Sequence, residues 1–124
     1  IEAFHDKGIR VSVFVDPIPE MVEHAALVGA DRVELYTGPY AELYATHPLQ
    51  AIEAYRAAAL CAKKVGLGLN AGHDLNLHNL NDLVTAFPWI DEVSIGHALI
   101  ADALYLGIEE TIRQYKRCLV INEN

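Results

Sequence analysis

Positive charge is scarce in this sequence: nine Lys and Arg stand against 17 Asp and Glu, a formal net charge of -8. Nucleic acid and anionic membrane surfaces both call for a basic face, so neither is expected as a partner. A local anion site stays open, because backbone N–H groups at a helix start can hold a phosphate whatever the overall charge. Cysteine is equally thin. Cys61 and Cys118 are the only two, with no CxxC and no Cys/His ligand spacing. That pattern argues against a disulfide framework and offers no metal site, so neither is expected. No run reaches the roughly 20 apolar residues of a membrane helix, and no secretory signal is visible; a cytoplasmic location is the expectation. Also missing after every apolar strand are GxGxxG and GxxxxGKS/T, the usual nucleotide-fold signals. There is no Met at position 1. Residues 1–8 read as the tail of a helix with Gly8 as its left-handed cap, so the sequence is expected to belong to a longer protein.

What is present is ordinary globular material, 52% hydrophobic and 21% charged over 124 residues, enough for one domain-sized core. Residues 9–16 (IRVSVFVD) are apolar and β-branched almost throughout, the pattern of a strand buried on both faces. Pro17 and Pro19 stop it, and Pro19 suits the first turn of a helix over 20–28 closed by Gly29. A second strand is expected at 32–36 (RVELY). Ala51, Ile52, Tyr55, Ala58, Ala59 and Ala62 recur at helical spacing within a helix over about 49–65. A third strand at 68–70 runs into Ala71-Gly72-His73, followed by a helix at 81–87 that Pro88 ends. A fourth strand at 92–95 runs into Gly96-His97. Helices at 98–104 and 108–120 follow, separated by Gly107, and Asn122-Glu123-Asn124 reads as a closing polar tail.

The order is strand then helix, four times, each repeat the size of one βα unit. An open doubly wound sheet would accommodate it, but the nucleotide signals are missing. A (β/α)8 barrel has about 250 residues, twice the length here. The reading is therefore an α/β fold, the C-terminal half of a TIM (β/α)8 barrel, with residues 1–124 as one half-barrel segment supplying strands five to eight.

In such a fold the chemistry sits where strands pass into their following loops. The polar residues at those places are Asp16, Glu34, Thr37, Asn70, His73 and His97. Glu34 lies inside an apolar strand, where a carboxylate is costly without a polar cavity or a partner; the plain alternative is a strand-exit charge paired with Arg32 or Arg10. His73 follows two small residues that admit a sharp turn and a close ligand. Its imidazole can give and take protons near neutrality; the plain alternative is a hydrogen-bonded loop histidine. Asp74 and His78 lie close to His73, but their spacing matches no helical HxxxH metal pair. Gly96-His97 opens directly into a helix, whose free N–H groups and dipole suit an anion. The loops after strands seven and eight of a barrel commonly hold phosphate, and Gly72 and Gly96 mark both; the alternative for Gly96 is a tight turn alone. His5, His24, His47 and His78 read as surface or structural, and Tyr36, Tyr40, Tyr44 and Tyr55 as loop and helix packing.

The strings VELYTGPYAE (33–42), LNAGHDLN (69–76) and DEVSIGHALI (91–100), with GIRVSVFVD (8–16), resemble the C-terminal half of the pyridoxine 5′-phosphate synthase family, in order and across essentially the whole sequence. The resemblance implies a (β/α)8 barrel in vitamin B6 biosynthesis. It would condense 1-deoxy-D-xylulose 5-phosphate with 3-amino-2-oxopropyl phosphate to pyridoxine 5′-phosphate, phosphate and water. It implies no cofactor and no metal, small phosphorylated substrates as partners, and a homo-oligomer, commonly an octamer. By position, Glu34 matches the family's transition-state-stabilising glutamate and His73 its proton-donating histidine. Gly96 and His97 match the pair on the phosphate of the amino-ketone. Asp74 falls on a further substrate-contact position, where some members carry glycine. The remaining catalytic base, a second acidic residue and phosphate-binding arginines would come from the first four units, so this segment alone is expected to be inactive. Two other readings stand beside this one. One is another phosphate-handling barrel enzyme, an aldolase or isomerase, although Lys7, Lys63, Lys64 and Lys116 all fall on expected helices or their ends. The other is a non-catalytic binding or assembly piece.

Overall fold

The computed structural model describes residues 1–120; the polar run 122–124 lies outside the described residues. The elements are α1 (Glu2–His5), β1 (Ser12–Val15), α2 (Pro19–Leu27), β2 (Arg32–Tyr36), α3 (Gly38–Tyr44), α4 (Pro48–Val65), β3 (Gly68–Gly72), α5 (Leu80–Ala86), β4 (Ile90–Ser94), α6 (His97–Leu106) and α7 (Ile108–Cys118). The four strands form one parallel sheet in chain order, β1-β2-β3-β4. Strand order never reverses, so the sheet has no doubly wound switch point.

Strand register decides which side chains face which way. Val13, Val33 and Leu69 stand in one row, and Val15, Leu35, Ala71 and Val93 in another. Side chains alternate along a strand, so these rows share one face. They join a single buried cluster with Val22 and Ala25 of α2, Ala51, Tyr55, Ala58, Ala59 and Ala62 of α4, and Leu80, Leu83 and Val84 of α5. The alanine stripe on α4 keeps that helix's contact face short, which lets its backbone lie close to the sheet. The opposite face carries Phe14, Arg32, Glu34, Tyr36, Asn70, Glu92 and Ser94.

That second face has no layer over it among the described residues. Residues 9–16 are expected as a strand buried on both faces; among the described residues only one of its faces is covered. β1 is an edge strand of four residues, and Phe14 on its open side remains 53% exposed. Burial on both sides would need a covering layer, and all the helices that contribute to the core pack on the other side. β4, at the opposite edge, is likewise half-buried at most along its length.

The open face is curved. Arg10, in the segment entering β1, donates to both carboxylate oxygens of Glu92 on β4, at 2.9 and 3.1 Å. Groups from the two ends of the sheet therefore meet across the face. Arg32 joins them, 3.5 Å from Glu92 and 3.1 Å from Asn70 Oδ1. Asn70 in turn donates to Glu92 at 3.1 Å.

Most helix boundaries fall within a few residues of expectation, with Pro19 in the first turn of α2 and Gly66 (φ +78°) closing α4 in the left-handed conformation. α3 has no counterpart in the sequence reading. Its Pro39 occupies the first turn, where a missing N–H costs nothing. Tyr40 and Tyr55 tie it down: Tyr55 Oη donates to Tyr36 O (2.6 Å) and accepts from Tyr40 N (3.2 Å), while Tyr40 Oη donates to Asn79 O (2.7 Å). Burial pushes the Tyr55 phenol up to about 12, so it acts here as a fixed hydrogen-bonding group. Tyr40 and Tyr55 are buried packing residues and Tyr44 Oη donates to Asp82 (2.6 Å), whereas Tyr36 lies on the open face. Cys61 is buried and Cys118 half-buried, and both are free thiols. No helix among the described residues is long and apolar enough to cross a membrane.

Two outcomes follow from these contacts. Tyr55→Phe leaves the Tyr36 carbonyl and the Tyr40 N–H without their partner in a buried setting, and should destabilise by about 1–3 kcal/mol, read as a lower urea midpoint at unchanged slope. The Arg10 hydrogen bonds, joined by Arg32 and Asn70, hold the Glu92 carboxyl below its ordinary 4.5. A carboxyl lowered on folding stabilises above the ordinary carboxylate range and loses that contribution as pH falls through its lowered value. Glu92→Gln should therefore lower stability at neutral pH, and its difference from the parent should shrink on acidification.

Candidate active site

Three loops leave the C-terminal ends of β2, β3 and β4 on the same side of the sheet, as parallel strands require. They bring together the residues to which the family resemblance gives roles, whereas Asp16, Thr37 and Asn70, the other polar residues marked at strand ends, do not line the cavity. Glu34, His73, Asp74, Gly96 and His97, with Ser94 and Ile95, line one open cavity of about 390 Å³. No lysine lines it.

Glu34 enters the cavity from the open face of β2. Its carboxylate accepts a hydrogen bond from Ser94 Oγ at 3.1 Å. The pairing with Arg32 or Arg10 does not form, because both guanidiniums are engaged with Glu92 one layer lower. Glu34 therefore meets a neutral hydroxyl donor, and no Lys or Arg lines the cavity. Ser94, which opens the strand-end segment 94–97 marked in the sequence but carries no role there, also lines the cavity. Its signal was available, since it shares the open face with Glu34 by strand parity.

The Glu34 side chain lies across Gly72. A Cβ built on Gly72 would collide with Glu34 Oε1 and would come within 2.9 Å of Ser94 Cβ. A carboxylate tip can swing away, but a serine Cβ fixed to strand backbone cannot. This glycine is required for the close approach of two side chains.

His73 and Asp74 follow with φ +70° and +64°. Left-handed backbone costs a non-glycine residue about 1–2 kcal/mol, so two in succession must be held by their surroundings. They are. Thr37 Oγ1 lies 2.6 Å from both the Gly72 and His73 carbonyls, and Thr37 N donates to Gly72 O at 2.8 Å. Asn79 Nδ2 donates to Asp74 O at 3.3 Å, and Asn79 Oδ1 accepts from Asn76 N at 2.9 Å. The imidazole packs edge-on against Tyr36, with ring centroids 5.0 Å apart, and lies 6.2 Å from the Phe14 ring. Its Nδ1 stands 3.2 Å from Asp74 Oδ2. The ring is thus oriented by a carboxylate on one side and aromatic faces on the other.

Gly96 is the N-cap of α6 and His97 its first residue, one residue before the expected start of this helix at 98. Nothing stands within 4 Å of a Cβ built on Gly96, so the approach to the helix start is clear. The segment 96–106 carries no acidic residue in its first turn. Among the described residues no group of three or more His, Cys, Asp or Glu is arranged to hold a metal ion.

Chemically, the cavity offers a carboxylate without a guanidinium or ammonium partner, an oriented imidazole and a helix start free to face an anion. Gly72→Ala should push Glu34 out of register with Ser94 and destabilise by about 1–3 kcal/mol through overpacking, measurable by urea unfolding.

Comparison with known proteins bears on the same residues. The family model described as "Pyridoxal phosphate biosynthesis protein PdxJ" matches residues 1–121. A protein of Bacteroides thetaiotaomicron named pyridoxine 5′-phosphate synthase is 60% identical over 119 residues, covering 96% of this chain and 50% of that protein. One of the same name from Cytophaga hutchinsonii is 61% identical over 117 residues, 94% of this chain and 49% of the relative. A third, from Porphyromonas gingivalis, is 54% identical over 121 residues, 98% and 51% respectively. The chain spans about half the length of the curated relatives it matches.

Proposed function

The chain belongs to the PdxJ family of pyridoxal phosphate biosynthesis proteins, and from that premise we propose that it supplies part of the active site of a pyridoxine 5′-phosphate synthase. The observation that carries the proposal is the convergence of Glu34, His73, Asp74, Gly96 and His97 on one cavity. The reaction joins 1-deoxy-D-xylulose 5-phosphate to 3-amino-2-oxopropyl phosphate, giving pyridoxine 5′-phosphate, phosphate and water.

Building that ring requires imine formation, loss of phosphate, dehydration and closure. Each step moves protons, and several pass through cationic imines or enamines. The Glu34 carboxylate, without a guanidinium or ammonium partner, stabilises the positive charge that develops there. His73 donates protons from an imidazole whose direction is fixed by Asp74 and Tyr36. Gly96 and His97 hold the phosphate of the amino-ketone at the α6 N-terminus, which keeps the distant reacting end in place. Asp74 meets substrate through its backbone. Its carboxylate is turned to His73, which keeps like charge away from the phosphate. No cofactor or metal takes part.

The architecture we propose is the C-terminal half of a (β/α)8 barrel, with β1 to β4 as strands five to eight. Three features support it: strand order without reversal, helices of the core on one face only, and a concave polar face opposite. The relatives' length also fits, since 119 residues make up 50% of one of them, or about 240 in all, near the usual size of such a barrel. The other half would bring the catalytic base, a second acidic residue and phosphate-binding arginines. It would also cover β1 and β4. The exposed Leu104, Tyr105 and Ile108 around α6 and α7 suit further contacts in a homo-oligomer such as an octamer. We place the enzyme in the cytoplasm.

Residues 1–124 alone should show no turnover, and turnover by this segment would sink the half-barrel reading. In a polypeptide of the relatives' full length that carries these residues, Glu34→Gln and His73→Ala should each lower kcat about 10²–10⁴-fold with small changes in substrate binding. Activity left intact in both would favour a binding or assembly role. Crystals soaked with inorganic phosphate should show it at the α6 N-terminus; a site blocked by side chains would count against Gly96 and His97.

A further inference from the structure

Thr37 occupies an unusual position. It is the N-cap residue of α3, where a threonine hydroxyl ordinarily accepts a hydrogen bond from an N–H of the first turn. Here no such bond exists. The side chain is instead fully buried and turned across to the neighbouring strand end, where Oγ1 lies 2.6 Å from Gly72 O and 2.6 Å from His73 O. A hydroxyl has one proton to donate, and Thr37 shares it between two consecutive carbonyls of the segment that carries His73. The backbone N–H of Thr37 adds a third tie, to Gly72 O at 2.8 Å. The bonded peptide units flank His73, the first of two residues in the left-handed region.

Thr37 also follows Glu34 by three residues, at the end of the same strand. The strand that presents the carboxylate thus grips the turn that presents the imidazole. We propose that Thr37 is a positioning residue for the reaction: its hydroxyl fixes the left-handed backbone at His73 and so holds the imidazole in the cavity lined by Glu34. The part about the reaction rests on the synthase reading; the part about the backbone does not.

The shape of the site supports this over a packing role. Valine has nearly the same shape and would keep the buried volume while removing the proton that Thr37 donates. Gly72 O already accepts from Thr37 N, so the carbonyl that depends on the hydroxyl is His73 O, for which no other protein donor stands among the described residues. The directions of these two carbonyls set the peptide planes on either side of His73.

The test compares Thr37→Val and Thr37→Ser in a polypeptide of the relatives' full length that carries residues 1–124. Two readouts are taken: steady-state kinetics on both phosphorylated substrates, and the NMR ¹³Cα and ¹³Cβ shifts of His73, which report its backbone conformation. The valine variant should move the His73 shifts away from left-handed values. It should lower kcat about 10- to 100-fold, the cost of misplacing a catalytic group by about 1 Å, and leave KM within about twofold. The serine variant should keep the parent shifts and recover most of kcat. Parent-like shifts in a folded valine variant overturn the proposal, and so does unchanged kcat beside moved shifts. If the valine variant does not fold, the serine variant decides, since loss of the shifts or of turnover there removes the hydroxyl's role. If the unsubstituted protein shows no turnover, the synthase reading falls, and the shifts still decide whether Thr37 holds the turn.

Discussion

The parallel register between β2 and β3 is the constraint on which the rest depends. Glu34 stands opposite Asn70, Leu35 opposite Ala71, and Tyr36 opposite Gly72. Because side chains alternate with period two, a slip of one residue would send Glu34 into the helix-covered core and Leu35 onto the open face. The apolar rows forbid that slip, since Val33, Leu35, Leu69 and Ala71 are all buried against the helices. The core therefore fixes the position of the carboxylate without touching it. The same register lays Glu34 over Gly72, the one residue at that place which leaves room for it.

The open face divides into two layers along the strands. The lower layer is a network of compensated charge, in which Arg10 and Arg32 are taken up by Glu92 and Asn70. The upper layer holds Glu34, Ser94 and His73 and carries no guanidinium. This separation leaves the upper carboxylate free of a permanent counter-ion. A salt bridge there would satisfy the charge and also fix it, and would oppose a role in stabilising charge that appears only during a reaction.

The turn at His73 is held from several directions at once. Thr37 takes its carbonyls, Asn79 closes the following loop, and Tyr40 anchors Asn79 through its carbonyl. Tyr55 in turn fixes Tyr40 and the end of β2. Backbone strain at two successive residues survives because these buried hydrogen bonds over-determine the conformation. The helix that performs this anchoring, α3, is the element that sequence periodicity did not reveal. Its seven residues are too few to develop a clear amphipathic repeat, and its Gly-Pro start resembles loop.

Much of the molecule was legible in the residues themselves. Four apolar segments alternating with helical stretches gave the order of elements, because burial against helices imposes a period on each segment that the side chains must obey. Strand-end polar residues marked the candidate site, since a polar group inside an apolar run is costly without a reason. Tertiary structure decided the remainder. Which partner Arg10 and Arg32 take depends on the curvature of the sheet, and no local pattern encodes curvature. Burial of β1 on one face rather than two depends on what lies above it. The role of Thr37 depends on a contact between residues 35 and 36 positions apart in sequence, and hydrogen bonds of that range exist only once the strands have paired.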